Sequence, residues 1–257
     1  MCTLVMLRRP DHPWPVVIGA NRDEMIDRPA RPPGRHWPDR PEVVAGIDEL
    51  AGGTWLGLND WGVAAAVLNR HGSLGPAAGL RSRGELVLEA LDHADAVDAA
   101  TALSHLDPAA YRTFNLIVAD NRDAFWLRHA GTGEIGVQPI KPGVSLIAAG
   151  DIDDFSTRRL AFALIPFTGA DVPDEAGAWT AWEALLSDER PPAGAPPDAA
   201  LRFRTERGYG TVSSALIALP AAPSPERRAV YRYAGWLPDE TGWYDVDLGN
   251  ARVTEGR

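Results

Sequence analysis

The chain has 257 residues, of which 45% are hydrophobic and 23% are charged, and this composition excludes a wholly disordered protein. Its 35 acidic and 25 basic residues give a net charge of −10. A surface of that sign repels phosphate backbones, so we expect no nucleic-acid partner. No apolar stretch approaches the ~18 residues of a membrane span, and the amino terminus lacks the order of a signal peptide. We therefore expect a cytoplasmic protein with a single domain over residues 1–257.

Apolar runs bounded by turn residues predict most of the strands. They cover residues 3–6, 16–20, 54–58, 63–68, 114–119, 124–128, 144–149, 212–219, 229–234 and 243–246. Two pairs of these runs flank four-residue turns, at 59–62 and at 120–123, and predict β-hairpins.

Helices are predicted between the groups of strands. The first begins at Ser82-Arg83-Gly84-Glu85, which has the pattern of a capping box and precedes an apolar run. Three more cover residues 94–106, 157–165 and 174–186. Hairpins outnumber strand–helix alternations, which favours antiparallel sheets covered by helices. The proline-rich intervals 28–41 and 191–197 are predicted as surface loops.

Cys2 is the only cysteine, which excludes an internal disulfide and a multi-cysteine metal site within this chain. Removal of Met1 is expected because the next side chain is small, and Cys2 would then carry a thiol and a free α-amine. With pKa values of ~8.5 for the thiol and ~7.7–8 for the amine, the amine can accept the thiol proton. Nucleophile and base would then belong to one amino acid. The alternative is a buried structural cysteine.

The tetrapeptide Asn21-Arg22-Asp23-Glu24 directly follows the strand predicted at 16–20. Close to a thiol, Arg22 would favour the thiolate, and Asp23 could orient the α-amine. A charged turn with a local salt bridge has the same pattern.

Two further features follow along the chain. Gly52-Gly53-Thr54-Trp55-Leu56-Gly57 permits close backbone approach and offers an aromatic pocket wall, although a tight turn entering a core strand has the same composition. Asn69 follows the strand predicted at 63–68, where its amide could donate a hydrogen bond to a developing oxyanion or simply end the strand.

Together and in this order, these motifs resemble the NRDE family, also called the transport and Golgi organisation two family. Ser82-Arg83-Gly84-Glu85-Leu86, Phe114-Asn115-Leu116 and Tyr209-Gly210-Thr211 extend the resemblance over nearly the whole chain. The resemblance implies the α+β fold of the N-terminal nucleophile hydrolases, a four-layer αββα sandwich of two antiparallel sheets.

The resemblance also implies roles for particular residues. The family is distantly similar to the bile-salt hydrolase and penicillin V acylase group, whose mature chains begin with cysteine. On that pattern Cys2 is the nucleophile, Asp23 takes the aspartate role and Asn69 serves the oxyanion hole. Arg22 matches the group's arginine only approximately.

The sequence departs from the pattern of that group at two places. Where the group has a second asparagine, this chain has Asp151, whose negative charge would disfavour an oxyanion. The group's later arginine has no clear counterpart, because nothing determines whether Arg204 or Arg207 corresponds to it.

Two functions of different classes follow from this reasoning. The first is cysteine-dependent hydrolysis of a non-peptide amide or acyl compound, which takes a small-molecule substrate and requires no cofactor. The second, also implied by the resemblance, is non-catalytic binding and trafficking of haem or of lipid and acyl-CoA compounds, with Cys2 as a haem ligand. The six histidines show no paired ligand spacing, so no metal site is predicted.

Overall fold

The computed structural model describes residues 2–171, 178–222, 227–236 and 242–249, and its strands form two antiparallel sheets. The strands are β1 (Thr3–Arg8), β2 (Val16–Met25), β3 (Ala30–Gly34), β4 (Val43–Asp48), β5 (Leu56–Asn59), β6 (Ala64–Asn69), β7 (Phe114–Ala119), β8 (Ala124–His129), β9 (Gly136–Pro139), β10 (Gly143–Ile147), β11 (Tyr209–Leu219), β12 (Val230–Gly235) and β13 (Tyr244–Asp245). The helices are α1 (Gly84–Leu91), α2 (Ala96–Ser104), α3 (Arg158–Gly169) and α4 (Thr180–Leu186). The expected α+β class is therefore confirmed.

Each sheet is built largely from neighbouring hairpins. The first sheet has the order β10–β1–β2–β11–β12–β13, and the second has the order β3–β4–β5–β6–β7–β8–β9. Both predicted hairpins, β5–β6 and β7–β8, are present. In the first sheet Thr3 pairs with Asn21 across β1 and β2. This register brings the amino terminus beside the Asn-Arg-Asp-Glu segment.

Apolar side chains fill three layers, because successive residues of a strand point to opposite faces of a sheet. In β6, Ala66 and Leu68 pack between the two sheets, whereas Ala65 packs on the side of α1 and α2. The outer face of the first sheet packs against α3 and α4 through residues such as Leu216 and Trp182. The result is the expected αββα order of layers. No helix among the described residues has the length and apolarity needed to cross a membrane.

Two predicted boundaries are wrong in ways that matter for the site. β2 continues to Met25, so the Asn-Arg-Asp-Glu segment lies within a strand and does not follow one. The interval 28–41, predicted as a surface loop, contains β3 at the edge of the second sheet. An edge strand tolerates Pro32 and Pro33 because one side of its backbone needs no ladder partner.

Two helix predictions also need correction. Of the helix predicted at 174–186, residues 174–177 lie outside the described residues, and α4 begins at Thr180. The capping box does not form, since Ser82 Oγ accepts from the N–H of Gly84 at 3.2 Å. Glu85 pairs instead with Arg81 at 2.7 Å.

Gly53 and Gly84 bring two separate motifs into backbone contact. The Thr54 N–H donates to the carbonyl of Gly84 at 3.2 Å. A Cβ on Gly53 would lie 2.6 Å from the carbonyl carbon of Gly84, which is inside any normal contact distance. The Gly-Gly-Thr-Trp segment and the start of α1 therefore need glycine because their backbones touch.

Replacing Gly53 with alanine is expected to lower the free energy of unfolding by about 1–3 kcal/mol, because the new methyl group meets backbone atoms that cannot move independently. Urea denaturation measures this change. Gly169→Ala is the matched control, since its Cβ would meet nothing within 4 Å. Equal stability of the two variants would contradict the close-approach explanation.

Candidate active site

Cys2 lies immediately before β1, and the backbone of Asp23 holds its thiol. The N–H of Asp23 donates to Cys2 Sγ at 3.4 Å, and the thiol lies 3.6 Å from the carbonyl oxygen of Asp23. The Tyr209 hydroxyl donates to that same carbonyl at 3.4 Å. Cross-strand pairing of β1 with β2 therefore positions the sulfur at a defined point of the backbone.

A narrow cleft between the two sheets contains Cys2, and we call it the Cys2 cleft. Its lining includes Asn21, Arg22, Trp55 and Leu68, and its volume is about 20 Å³. That volume holds about one water molecule. An acyl substrate is larger than this volume, and Cys2 itself is half-buried.

Arg22 points between the sheets, on the same side as this cleft. Its guanidinium carbon lies 4.1 Å from the centre of the Trp55 ring, and Nη2 lies 3.6 Å from Oδ2 of Asp48. The Trp55 ring lies against Gly46, where a Cβ would come within 2.5 Å of it. The arginine is thus held by a cation–π contact and an ion pair beside the thiol.

Asp23 points the opposite way, towards α3. Its Oδ2 accepts from Nη1 of Arg159 at 2.6 Å, and its Oδ1 accepts from the Thr211 hydroxyl at 2.8 Å. Both charged side chains are buried, since 0% of the Asp23 side chain and 7% of the Arg159 side chain is exposed. Arg159 Nη1 also donates to the Thr3 hydroxyl at 3.2 Å. The pair therefore locks the start of β1 to β2 and α3.

Asn21 shares the helix-facing side of β2 with Asp23. Its amide nitrogen donates to the carbonyls of Leu186 and Leu201 at 2.9 and 2.8 Å, and its oxygen accepts from the Ser214 hydroxyl at 2.6 Å. All its polar atoms are engaged with protein groups. Asn21 is therefore a structural anchor for α4 and β11 beneath the site.

Asn69 is the last residue of β6 and pairs with Phe114. Leu68 lines the Cys2 cleft, whereas Asn69 is not among the described residues that line it. The structure thus brings Cys2, Arg22 and Asp23 together. Asn69 is the residue after Leu68 and lies outside the described lining of the cleft. Its role at an oxyanion stays a prediction.

Asp151 does not stand as a free negative charge at the site. It accepts from Arg70 at 2.6 Å and from Arg128 at 3.1 Å. Arg70 also donates to the amide oxygen of Asn115 at 2.6 Å. Two guanidinium groups compensate this carboxylate, so its expected repulsion of an oxyanion is reduced.

The sequence reasoning missed Arg159 as the cationic partner of Asp23. Arg204 forms only an isolated bridge with Gly210, and both Arg204 and Arg207 are exposed. Arg159 lies 136 positions from Asp23 along the chain, and no local pattern marks it. The one available signal is its place at the start of a predicted helix.

Burial raises the pKa of the Cys2 thiol above its ordinary value, and the negative charge of Asp23 raises it further, whereas Arg22 acts in the opposite direction. Desolvation disfavours the thiolate. With Met1 retained, the cysteine is therefore a weak nucleophile at neutral pH.

Among the described residues, no cluster of three or more histidine, cysteine or carboxylate groups could hold a metal ion.

Alkylation of Cys2 by iodoacetamide is expected to be slower than that of a free cysteine at pH 7.5 and to keep accelerating above pH 9, because the thiolate is the reacting form. Intact mass against pH measures the rate and also reports whether Met1 is present. Since the chain has one cysteine, Cys2→Ser is a complete control. A rate plateau below pH 8 in protein that retains Met1 would contradict the raised pKa.

The sequence and the fold of this chain are both similar to those of known proteins. A family model described as "Transport and Golgi organisation 2" matches residues 1–158. The chain is similar to the Transport and Golgi organization protein 2 homologs of Bos taurus, with 39% identity over 119 residues, and of Homo sapiens, with 36% identity over 112 residues. In both cases the match covers 41% of this chain and 38% of the relative. The match thus spans less than half the length of these curated relatives.

Solved structures share the fold at low identity. Penicillin V acylase from Agrobacterium tumefaciens has a TM-score of 0.59 at 15% identity, over 95% of this chain and 86% of that chain. The Caenorhabditis elegans N-acylethanolamine-hydrolyzing acid amidase ortholog has a TM-score of 0.53 at 13% identity, over 88% and 95% of the two chains. The fold is therefore that of the N-terminal nucleophile hydrolases. Because the family model matches more than half of its length, the chain belongs to the Transport and Golgi organisation 2 family.

Proposed function

We propose that this chain hydrolyses a non-peptide amide or a related acyl compound, with Cys2 as the nucleophile after Met1 is removed. The observation that carries the proposal is the placement of the Cys2 sulfur against the Asp23 backbone, beside Arg22 and over the Asp23–Arg159 pair. The fold neighbours are an acylase and an amidase by their descriptions, which supports this class of substrate.

The first half of the reaction forms a thioester. The α-amine of Cys2 takes the thiol proton, and the sulfur attacks the carbonyl carbon of the substrate. The resulting oxyanion accepts hydrogen bonds from Asn69 and from backbone N–H groups. The α-ammonium then returns its proton to the leaving amine as the carbon–nitrogen bond breaks, leaving the acyl group on Cys2.

The second half restores the enzyme. The α-amine takes a proton from water, the hydroxide attacks the thioester, and the sulfur leaves with the proton returned by the amine. When the free α-amine takes the thiol proton, it becomes an ammonium on Cys2 itself, and this positive charge stabilises the thiolate against the desolvation that burial imposes. Arg22 adds to this effect from the Trp55 side, and the buried Asp23–Arg159 pair keeps β1 and β2 in register.

Turnover is tested with penicillin V, an N-acylethanolamine and glycocholate, by measuring the released amine. Cys2→Ala is expected to lose on the order of 10⁴-fold or more in kcat/KM, and intact mass should show an acyl adduct on the wild-type chain alone. Active protein that retains Met1, or a Cys2→Ala variant with an unchanged rate, would overturn the proposal.

The same variants address the alternative of haem binding, with haem much larger than the volume of the Cys2 cleft. A Soret shift on haem addition that disappears in Cys2→Ala, in protein without turnover on any of the three substrates, would favour binding over hydrolysis. An identical shift in both proteins would remove Cys2 as a haem ligand.

A further inference from the structure

A second cavity of about 560 Å³ lies apart from the Cys2 cleft, and we call it the His129 pocket. Its walls come from the loop after β6, the segment before β7 and the end of β8, represented by His71, Ser73, Arg112 and His129. None of the described residues that line it also lines the Cys2 cleft. A volume of this size suits a small organic molecule.

Arg112 lines this pocket and Arg83 lies behind its wall, in a chain whose net charge is −10. Arg112 donates to the carbonyls of Leu74 and Gly72 at 2.6 and 2.8 Å. Behind the wall, Arg83 donates to the carbonyls of Ser73 and Thr113 at 2.8 and 3.1 Å. These acceptors are neutral, so the hydrogen bonds leave both positive charges uncompensated.

The two arginines act on each other. Burial lowers the pKa of Arg83 to about 10, and the neighbouring charge of Arg112 contributes to the decrease. The described lining of the pocket contains no acidic side chain. The carboxylates of Asp107 and Asp154 lie outside this lining, where they accept from the N–H groups of Ala109 at 2.9 Å and Ser156 at 3.1 Å.

His129 supplies a second, independent observation. The residue is 5% exposed, and its Nδ1 is buried without a hydrogen-bond partner among the described residues. His129 lies in the wall of the pocket, so its ring reports on a ligand bound there. Pro108, Ala109 and the Tyr111 ring add apolar surface to the same pocket.

We propose that the His129 pocket binds a small organic anion, whose carboxylate or phosphate faces Arg112 and whose apolar body lies against Pro108, Ala109 and Tyr111. The site goes beyond the proposed hydrolysis and does not need Cys2. The loop after β6 connects this pocket to the segment after β10, because the His71 N–H donates to the carbonyl of Ala149 at 3.1 Å.

The test uses three probes of matched shape on the full chain, namely 2-naphthoate, 2-naphthyl phosphate and the neutral 2-naphthamide. Calorimetry should show binding of one or both anions at least about tenfold tighter than the amide, since a hydrogen bond to a charged group is stronger than one to a neutral group. The relative affinity of the two anions identifies the head group. In protein with ¹³C-labelled histidine, the ring signals of His71 and His129 should shift on binding.

Four variants separate the site from general charge effects. Arg112→Met should weaken anion binding about tenfold, and His71→Glu, at an exposed position, should weaken it without disturbing the loop. Arg190→Met, on a side chain 87% exposed elsewhere, and Cys2→Ala should leave it unchanged. Equal binding of amide and anions, unshifted histidine signals, or unchanged affinity in both pocket variants would overturn the proposal.

Discussion

Replacing Asp23 with alanine is expected to lower the free energy of unfolding by about 3–5 kcal/mol, because it removes one half of a buried ion pair with Arg159. The two groups are 2.6 Å apart, and neither side chain is more than 7% exposed. The hydrogen bonds from Arg159 to the Thr3 hydroxyl and to the carbonyl of Asp198 are to neutral acceptors. Urea denaturation followed by circular dichroism measures the loss.

A double-mutant cycle distinguishes the pair from the individual side chains. Asp23→Ala with Arg159→Met should be less destabilised than the sum of the two single variants, since it removes both charges of the pair together. Glu49→Ala is the matched control, because the Arg31–Glu49 pair at 3.0 Å is largely exposed and should contribute less than about 1 kcal/mol. Additive single losses, or a loss at Asp23 no larger than at Glu49, would contradict this account.

Replacing Asn115 with leucine is expected to cost about 3 kcal/mol of stability and to loosen the segment 148–151. The side chain is fully buried, and its amide nitrogen donates to the carbonyls of Ala148 and Gly150 at 2.9 and 2.7 Å. Its oxygen accepts from Arg70 and from the Trp126 indole at 2.6 and 3.1 Å. Leucine keeps the volume but removes the partner of the Ala148 carbonyl and of the Trp126 indole, at ~1–3 kcal/mol for each group that water cannot reach. Gly150 and Arg70 still bond to each other at 3.2 Å.

Hydrogen exchange identifies where this loss acts. The His71 amide, which donates to the carbonyl of Ala149, should exchange faster in Asn115→Leu, whereas amides of the β4–β5 pair should follow global stability only. Asn121→Leu is the control, since that amide also donates to two carbonyls, those of Pro220 and Ala221, but at a more exposed site. Similar losses at both asparagines would show that burial does not determine the effect.

Contacts in the folded chain explain why its separate sequence motifs occur together. Gly53 and Gly84 need each other because their backbones touch. Thr211, from the Tyr-Gly-Thr segment, donates to Asp23. Asn115, from the Phe-Asn-Leu segment of the second sheet, donates to the carbonyls of Ala148 and Gly150. These two residues follow β10, which pairs with β1 in the first sheet. Motifs far apart along the chain thus meet at one end of the sandwich.

The sequence by itself determined the features that depend on local chemistry. Turn residues between two apolar runs were enough to place the β5–β6 and β7–β8 hairpins, and strand alternation with helices between hairpin groups was enough for the class of fold. The single cysteine at position 2 was likewise enough to identify the candidate nucleophile, because no other residue offers a thiol.

Only the tertiary structure decided how the polar residues divide between the faces of β2. The Asn-Arg-Asp-Glu segment looked like one cluster following a strand, but β2 continues through it, so Arg22 points to Trp55 and Asp23 to Arg159. Arg159 could not be identified beforehand, because an ion pair across 136 positions leaves no periodic or local signal. A buried Asp23 carboxylate is costly unless a cation pairs with it. Arg159 supplies that cation, and it reaches Asp23 only when α3 packs on the first sheet.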